Sequence, residues 1–143
     1  MEKEYDPNYI AEKVYFQVGQ KAIIWNSDKK ILLLKRSGIA GGKWSFPGGG
    51  LEKGEGAIES IKREIKEETN LDCSDFKVYY IHTSNSNSDE SGIIIGYECQ
   101  FSGEVKLNWE HGEYRWIFPK DALEFELTPH ARILLEYHVK ARP

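Results

Sequence analysis

Aromatic and β-branched residues crowd the stretch Tyr15 to Trp25, the polar cluster Asn26, Ser27 and Asp28 interrupts it, and the apolar run Ile31 to Leu34 follows. That order predicts two strands joined as a hairpin, because turn-forming residues between two β-prone runs are its usual signature. Ser37 to Gly56 then holds eight of the 13 glycines. A glycine-dense loop of that length inside one domain points to function rather than to mere connection.

From Ala57 to Thr69 the spacing turns helical, with Ile58, Ile61 and Ile65 recurring on one stripe. Asn70 stands where a left-handed C-terminal cap belongs, and Leu71 supplies the apolar residue that commonly follows. Further strands are expected at Phe76 to Thr83, Gly92 to Phe101 and Glu113 to Phe118, with the polar stretch Ser84 to Ser91 between the first two. A last helix is expected over Pro129 to Val139, with Leu134, Leu135 and His138 on a shared face. Strands mixed with two helices, without an internal repeat, predict an α/β or α+β layered fold. The chain reads as a single domain over residues 1–143, with residues 1–12 as an N-terminal extension.

Composition narrows the class. At 143 residues, with 40% hydrophobic and 29% charged residues, the chain is in the range of soluble globular domains. No apolar run approaches membrane-spanning length, and residues 1–7 lack the apolar core of a secretory signal, so the expectation is a cytoplasmic protein without membrane attachment. Cys73 and Cys99 lack CxxC spacing and read as small buried hydrophobes. With 19 basic and 23 acidic residues, the formal net charge of -4 argues against a large nucleic-acid surface. An anionic small molecule is compatible with this balance when bound metal or a few placed Lys and Arg residues meet it.

Candidate chemistry centres on the helix. At about 100° per residue, Glu64, Glu67 and Glu68 share one stripe beside the isoleucines. Like charges at i and i+4 cost roughly 0.2 to 0.5 kcal/mol, and anions in a last turn also face the negative end of the helix dipole. Lys62 and Lys66 point about 160° to 200° away from Glu64, so neither neutralises the cluster easily. A divalent cation held by hard carboxylate oxygens would do so.

The residues Gly49, Glu55, Arg63, Glu64, Ile65, Glu67, Glu68, Asn70 and Leu71 have a spacing that resembles the Nudix box: a glycine, a glutamate after five residues, then after seven the sequence Arg-Glu-apolar-any-Glu-Glu-any-Gly-apolar. Asn70 replaces the final glycine. Since Asn tolerates the left-handed conformation best after Gly, the helix stop is retained. Upstream, Phe46, Pro47, Gly48 and Gly49 resemble the lead-in that Nudix proteins usually carry.

The resemblance implies an α/β/α sandwich with a mixed sheet, and an enzyme that hydrolyses a diphosphate linkage in a nucleoside diphosphate derivative with Mg²⁺, or Mn²⁺ in its place. It implies that Glu64, Glu67 and Glu68 are the catalytic and metal-binding carboxylates, with the Gly48 carbonyl as a backbone ligand. Glu64 doubles as a candidate general base, and Glu55 with Arg63 as a structural ion pair. Arg36, at the end of the Ile31 to Leu34 strand, matches a phosphate-contacting position of related triphosphatases. Glu110, six residues before Trp116, resembles an additional metal ligand, with His111 and Glu113 beside it as alternative acid-base groups. The tryptophans Trp25, Trp44, Trp109 and Trp116 offer faces for a base.

Among substrates, a nucleoside triphosphate leads. The downstream proline of many ADP-ribose pyrophosphatases is absent, and Leu34, Lys35, Arg36 and Ser37 match the coenzyme A signature only in part. A nucleotide sugar or other nucleoside diphosphate derivative is the alternative, and a non-catalytic nucleotide-binding domain the alternative from another class. The expected partner is a small nucleotide, and the expected state a monomer or homodimer.

Overall fold

Helix α1 forms over Ala57–Thr69, the span that its isoleucine spacing predicts. The computed structural model describes residues 4–11, 15–38, 42–84 and 92–141. In chain order the other elements are β1 (Gln17–Ile24), β2 (Ile31–Arg36), β3 (Trp44–Ser45), β4 (Gly48–Gly50), β5 (Asp72–Thr83), β6 (Gly92–Ser102), β7 (His111–Ile117), α2 (Pro119–Ala122) and α3 (Pro129–Ala141). Residues 4–11 carry neither helix nor strand. Residues 1–3 and 12 of the expected extension, 39–41 of the glycine-dense loop and 85–91 of the polar stretch lie outside the described residues.

The strands form two sheets, in the orders β4-β1-β6-β5 and β3-β2-β7. The first is mixed, since β1 runs parallel to β6 and antiparallel to β4. This corrects the expected hairpin. After one bridge between Trp25 and Ile31 and one backbone bond from Asn26 N–H to the Lys30 carbonyl, β1 and β2 part into separate sheets. Each strand finds its partners further along the chain: Gln17 to Ile24 pair with Gly92 to Cys99, and β2 pairs with β7. The glycine-dense stretch is not one continuous loop either, because β3 and β4 lie within it.

Alternation along the strands builds a core on each side of the sheets. Ala22, Ile24, Leu32 and Leu34 pack with Ile61 and Ile65 of α1. Ile23, Ile31 and Leu33 pack with Ala131, Leu134 and Leu135 of α3. A strand buried on both faces needs a continuous apolar run, which is why Ile31 to Leu34 shows no alternation. Burying each such side chain contributes roughly 1.5 to 3 kcal/mol. The result is the expected α/β/α layering, with the β layer divided in two. Ile58 corrects the predicted stripe: it is 42% exposed, because the buried part of α1 runs only from Ser60 to Thr69. Among the described residues no helix is long and apolar enough to cross a membrane.

Candidate active site

Helix α1 is fixed at both ends, and this aims its carboxylates. At its start the buried Gln20 donates from Nε2 to the Ala57 carbonyl and accepts from the Tyr97 hydroxyl at 2.6 Å. At its end Asn70 adopts φ 66°, and its N–H donates to the Lys66 carbonyl. Leu71 is then buried and seals the cap.

Where the isoleucine stripe ends, Glu68 takes the buried position and is only 2% exposed. Its Oε1 accepts from the Gly48 N–H at 3.2 Å, and its Oε2 lies 3.6 Å from His111 Nδ1. Burial pushes its pKa up to about 8, against the opposing pull of Lys21 and of the Gly48 N–H. Gly48 has φ 147°, and a Cβ there would lie 1.9 Å from the Gln20 carbonyl oxygen, so only glycine fits. A Cβ at Gly49 would fall 2.6 Å from the Glu64 carboxyl carbon. The backbone of β4 and the carboxylates of α1 are therefore in direct apposition. Burial also raises the pKa of Glu64, and Arg63 opposes that rise.

Glu67 behaves differently. Its side chain is 52% exposed and turned to Arg63 Nη1, at 3.1 Å. Arg63 also grips Glu55 through Nε and Nη2, each at 2.9 Å, and touches Glu64 Oε1 at 3.3 Å. The Glu55–Arg63 fork ties the loop before α1 to the helix. Its hydrogen bonds pull the pKa of Glu55 down and hold Arg63 protonated. The sequence pointed to Lys62 and Lys66 as the failed counter-ions; the counter-ion of the open side is Arg63 itself.

The opposite wall comes from the ends of β2 and β7. Arg36 is the last residue of β2, and its backbone pairs with His111 at the start of β7. The next residue, Ser37, donates its N–H to the Glu110 carbonyl and its Oγ to the Trp109 carbonyl at 2.7 Å, clamping the Glu110 loop to β2. Glu110 is exposed, yet its charge raises the pKa of both Glu64 and Glu68. Arg36 lies within electrostatic reach of Lys21 and His111. Glu64, Glu68, Gly48, Arg36 and Glu110 therefore share one neighbourhood, with Glu67 at its rim.

Two members of this neighbourhood differ from, or are missing in, the sequence reading. His111 opens β7, two residues ahead of the strand expected from Glu113; it is 8% exposed, and burial lowers its pKa. Glu113 pairs on the surface with Arg115 and Lys35. Lys21 on β1 was not singled out, though a signal exists: it is the one charged residue in an otherwise apolar and polar-neutral strand. Of the four tryptophans, Trp44 is buried, Trp116 stacks on Phe101 and Trp25 lies on His138, whereas Trp109 is 86% exposed.

A family model, the NUDIX domain, matches residues 16–137. The chain belongs to the Nudix family. Nucleoside triphosphatase NudI from Escherichia coli O17:K52:H18 (strain UMN026 / ExPEC) is 29% identical over 116 residues, covering 71% of this chain and 82% of that protein. The MutT NUDIX hydrolase from Burkholderia pseudomallei superposes with a TM-score of 0.74 at 28% identity, covering 86% of this chain and 98% of that one. The E. coli ORF135 protein does so at 0.73 and 28%, covering 90% and 94%. The chain is thus a Nudix hydrolase, an enzyme of the pyrophosphohydrolase class.

Nudix hydrolases generally use a divalent metal. Among the described residues no three carboxylate, imidazole or thiolate side chains converge enough to enclose an ion. The physical reason is that Glu67 is turned to Arg63 while Glu68 lies on the Gly48 N–H. The donor set still suits a hard cation. Glu64 lies against the Gly49 backbone and Glu68 is buried beside it, and Mg²⁺ keeps waters and leans on substrate phosphates rather than requiring a closed cage. A cavity of about 960 Å³ opens elsewhere, lined by Trp25, Phe76, Glu98 and Phe101, without any carboxylate of α1. The volume and the box chemistry do not coincide, and the chemistry is the better guide.

Proposed function

We propose that this Nudix hydrolase cleaves, with Mg²⁺, the diphosphate linkage of a nucleoside diphosphate derivative, and that a nucleoside triphosphate is its foremost substrate. The observation that carries this reading is Glu68, a nearly buried carboxylate facing Gly48 and neighboured by Glu64. Nothing in core packing favours an acid there, and a bound cation would. The triphosphate is favoured by the likeness to a nucleoside triphosphatase and by Arg36 beside the Glu110 loop. Mn²⁺ is an expected substitute because every proposed ligand is a hard oxygen.

Glu64, Glu67, Glu68 and the Gly48 carbonyl would hold the metal, with Glu110 completing the shell from its loop. When bound, the metal lowers the pKa of a water and screens charge on the phosphates. The chain itself supplies the rest. Glu64, partly buried and only partly neutralised by Arg63, accepts the proton of the attacking water at a carboxylate oxygen. Arg36 offers a planar fork to a non-bridging phosphate oxygen. The Glu55–Arg63 fork keeps the loop and α1 in register while the carboxylates work.

The test is a screen of nucleoside triphosphates and nucleotide sugars with Mg²⁺, reading nucleoside monophosphate, pyrophosphate and phosphate. Monophosphate and pyrophosphate from a triphosphate support the reading. Turnover confined to nucleotide sugars moves the substrate class, and binding without turnover of any candidate refutes catalysis on nucleotides.

A further inference from the structure

Lys21 is a cation that core packing does not call for. It lies on β1, where the next three residues, Ala22, Ile23 and Ile24, are almost completely buried. Alternation puts its side chain on the same side of the sheet as Ile23, which packs toward α3. Across the ladder it pairs with Gly48, whose N–H holds Glu68.

The charge of Lys21 reaches two groups of side chains. One is the carboxylates Glu68, Glu64 and Glu110, and the other the basic groups Arg36, His111 and His130. Yet Lys21 is half-buried, and its ammonium forms no hydrogen bond or ion pair with any described residue. Among the described residues its three N–H donors thus meet no acceptor where water is partly excluded, an arrangement that costs free energy unless a partner arrives. The nearby carboxylates oppose the fall in its pKa without occupying its donors. Burial lowers its pKa, as expected for a cation held without a direct partner. An anion suits those donors, and the ladder sets Lys21 across from Gly48, within electrostatic range of Glu68, Glu64, Glu110 and Arg36.

We propose that Lys21 is a substrate-binding residue whose ammonium donates to a non-bridging oxygen of the diphosphate, opposite the α1 carboxylates. The substrate class rests on the nucleotide-hydrolase reading above. As a compact point charge on a strand, Lys21 binds the phosphate before and during reaction alike, so its contribution falls mainly on affinity. A lysine that served only as counter-ion to Glu68 would act instead on metal retention.

Lys21→Met, which keeps length and removes charge, separates these roles when compared with Lys21→Arg. The probes are inorganic pyrophosphate with Mg²⁺ in titration calorimetry, and steady-state kinetics on a nucleoside triphosphate. For K21M, the pyrophosphate Kd and the nucleotide KM are expected to rise roughly 10- to 100-fold, with kcat changing less than either. The Mg²⁺ concentration for half-maximal rate is expected to stay within about threefold, and K21R to recover part of the affinity. Lys21→Gln stands in if K21M does not fold. Wild-type pyrophosphate affinity in the neutral variant, or no pyrophosphate binding by the wild type, overturns the proposal. A wild type that binds pyrophosphate but cleaves no nucleotide overturns the nucleotide-hydrolase reading, and the binding comparison still decides the role of Lys21.

Discussion

The two sides of α1 carry the same residue type in opposite electrostatic conditions. On the open side Arg63 meets Glu55 and Glu67 at about 3 Å, and its hydrogen bonds pull the pKa of Glu55 down. On the closed side Glu68 accepts one backbone N–H and lies 3.6 Å from His111 Nδ1, whose own pKa burial lowers, and burial pushes the pKa of Glu68 up to about 8. The difference teaches that the box contains two devices rather than one acidic patch. One is a surface clamp already paired through Arg63, and the other is a buried carboxyl, favoured as neutral by burial, that a bound cation would ionise.

The comparison is broken most sharply by Glu68→Gln. It should cut turnover by about 10² to 10⁴ with the fold intact, and Glu64→Gln should do likewise, as expected for loss of a metal ligand or general base. Near wild-type kcat in both variants would contradict their assignment.

A second effect concerns pH in metal-free protein. The folded pKa of Glu68 lies above its ordinary value, so the neutral carboxyl is the form that the fold favours. Its contribution to stability is therefore complete below about pH 4.5 and is lost as pH rises through about 8. The loss is bounded at about 5 kcal/mol by the size of the shift. Thermal melts in chelator should show a Tm that declines over that window, with a flatter decline in Glu68→Gln. An equal slope in the two proteins would place the titrating group elsewhere.

Smaller again is Glu110→Gln, expected to lower turnover and to raise the Mg²⁺ needed for half-maximal rate by roughly tenfold or less, since one oxygen ligand is lost from an exposed loop. An unchanged Mg²⁺ titration with an unchanged rate removes Glu110 from the ligand set. The smallest effect on folding belongs to Arg63→Ala. Exposed ion pairs contribute about 0 to 1 kcal/mol each, so urea denaturation should move little even though three carboxylates lose their partner.

What the sequence made legible was local. Helix periodicity and the left-handed tolerance of Asn defined α1 from Ala57 to its cap at Asn70, and the box spacing singled out its carboxylates. The turn cluster at Asn26 was read correctly as a turn, but not the fate of the strands beside it. Their pairing depends on distant segments, Gly92 to Cys99 for β1 and β7 for β2, and no nearby residue encodes that choice. For the same reason the burial of His111 and the placement of Lys21 beside Glu68 escaped the one-dimensional pattern. Both follow from which strands meet, although a lysine immediately before Ala22, Ile23 and Ile24 was a detectable irregularity.

The central claim is that the buried carboxylate of Glu68 and its neighbour Glu64 serve a divalent cation that the reaction requires. Its most direct measurement is nucleoside triphosphate turnover by the wild-type enzyme with Mg²⁺, in excess chelator, and after Mg²⁺ is restored. Turnover that vanishes in chelator and returns with Mg²⁺ is the predicted result, whereas full turnover in chelator would contradict the account.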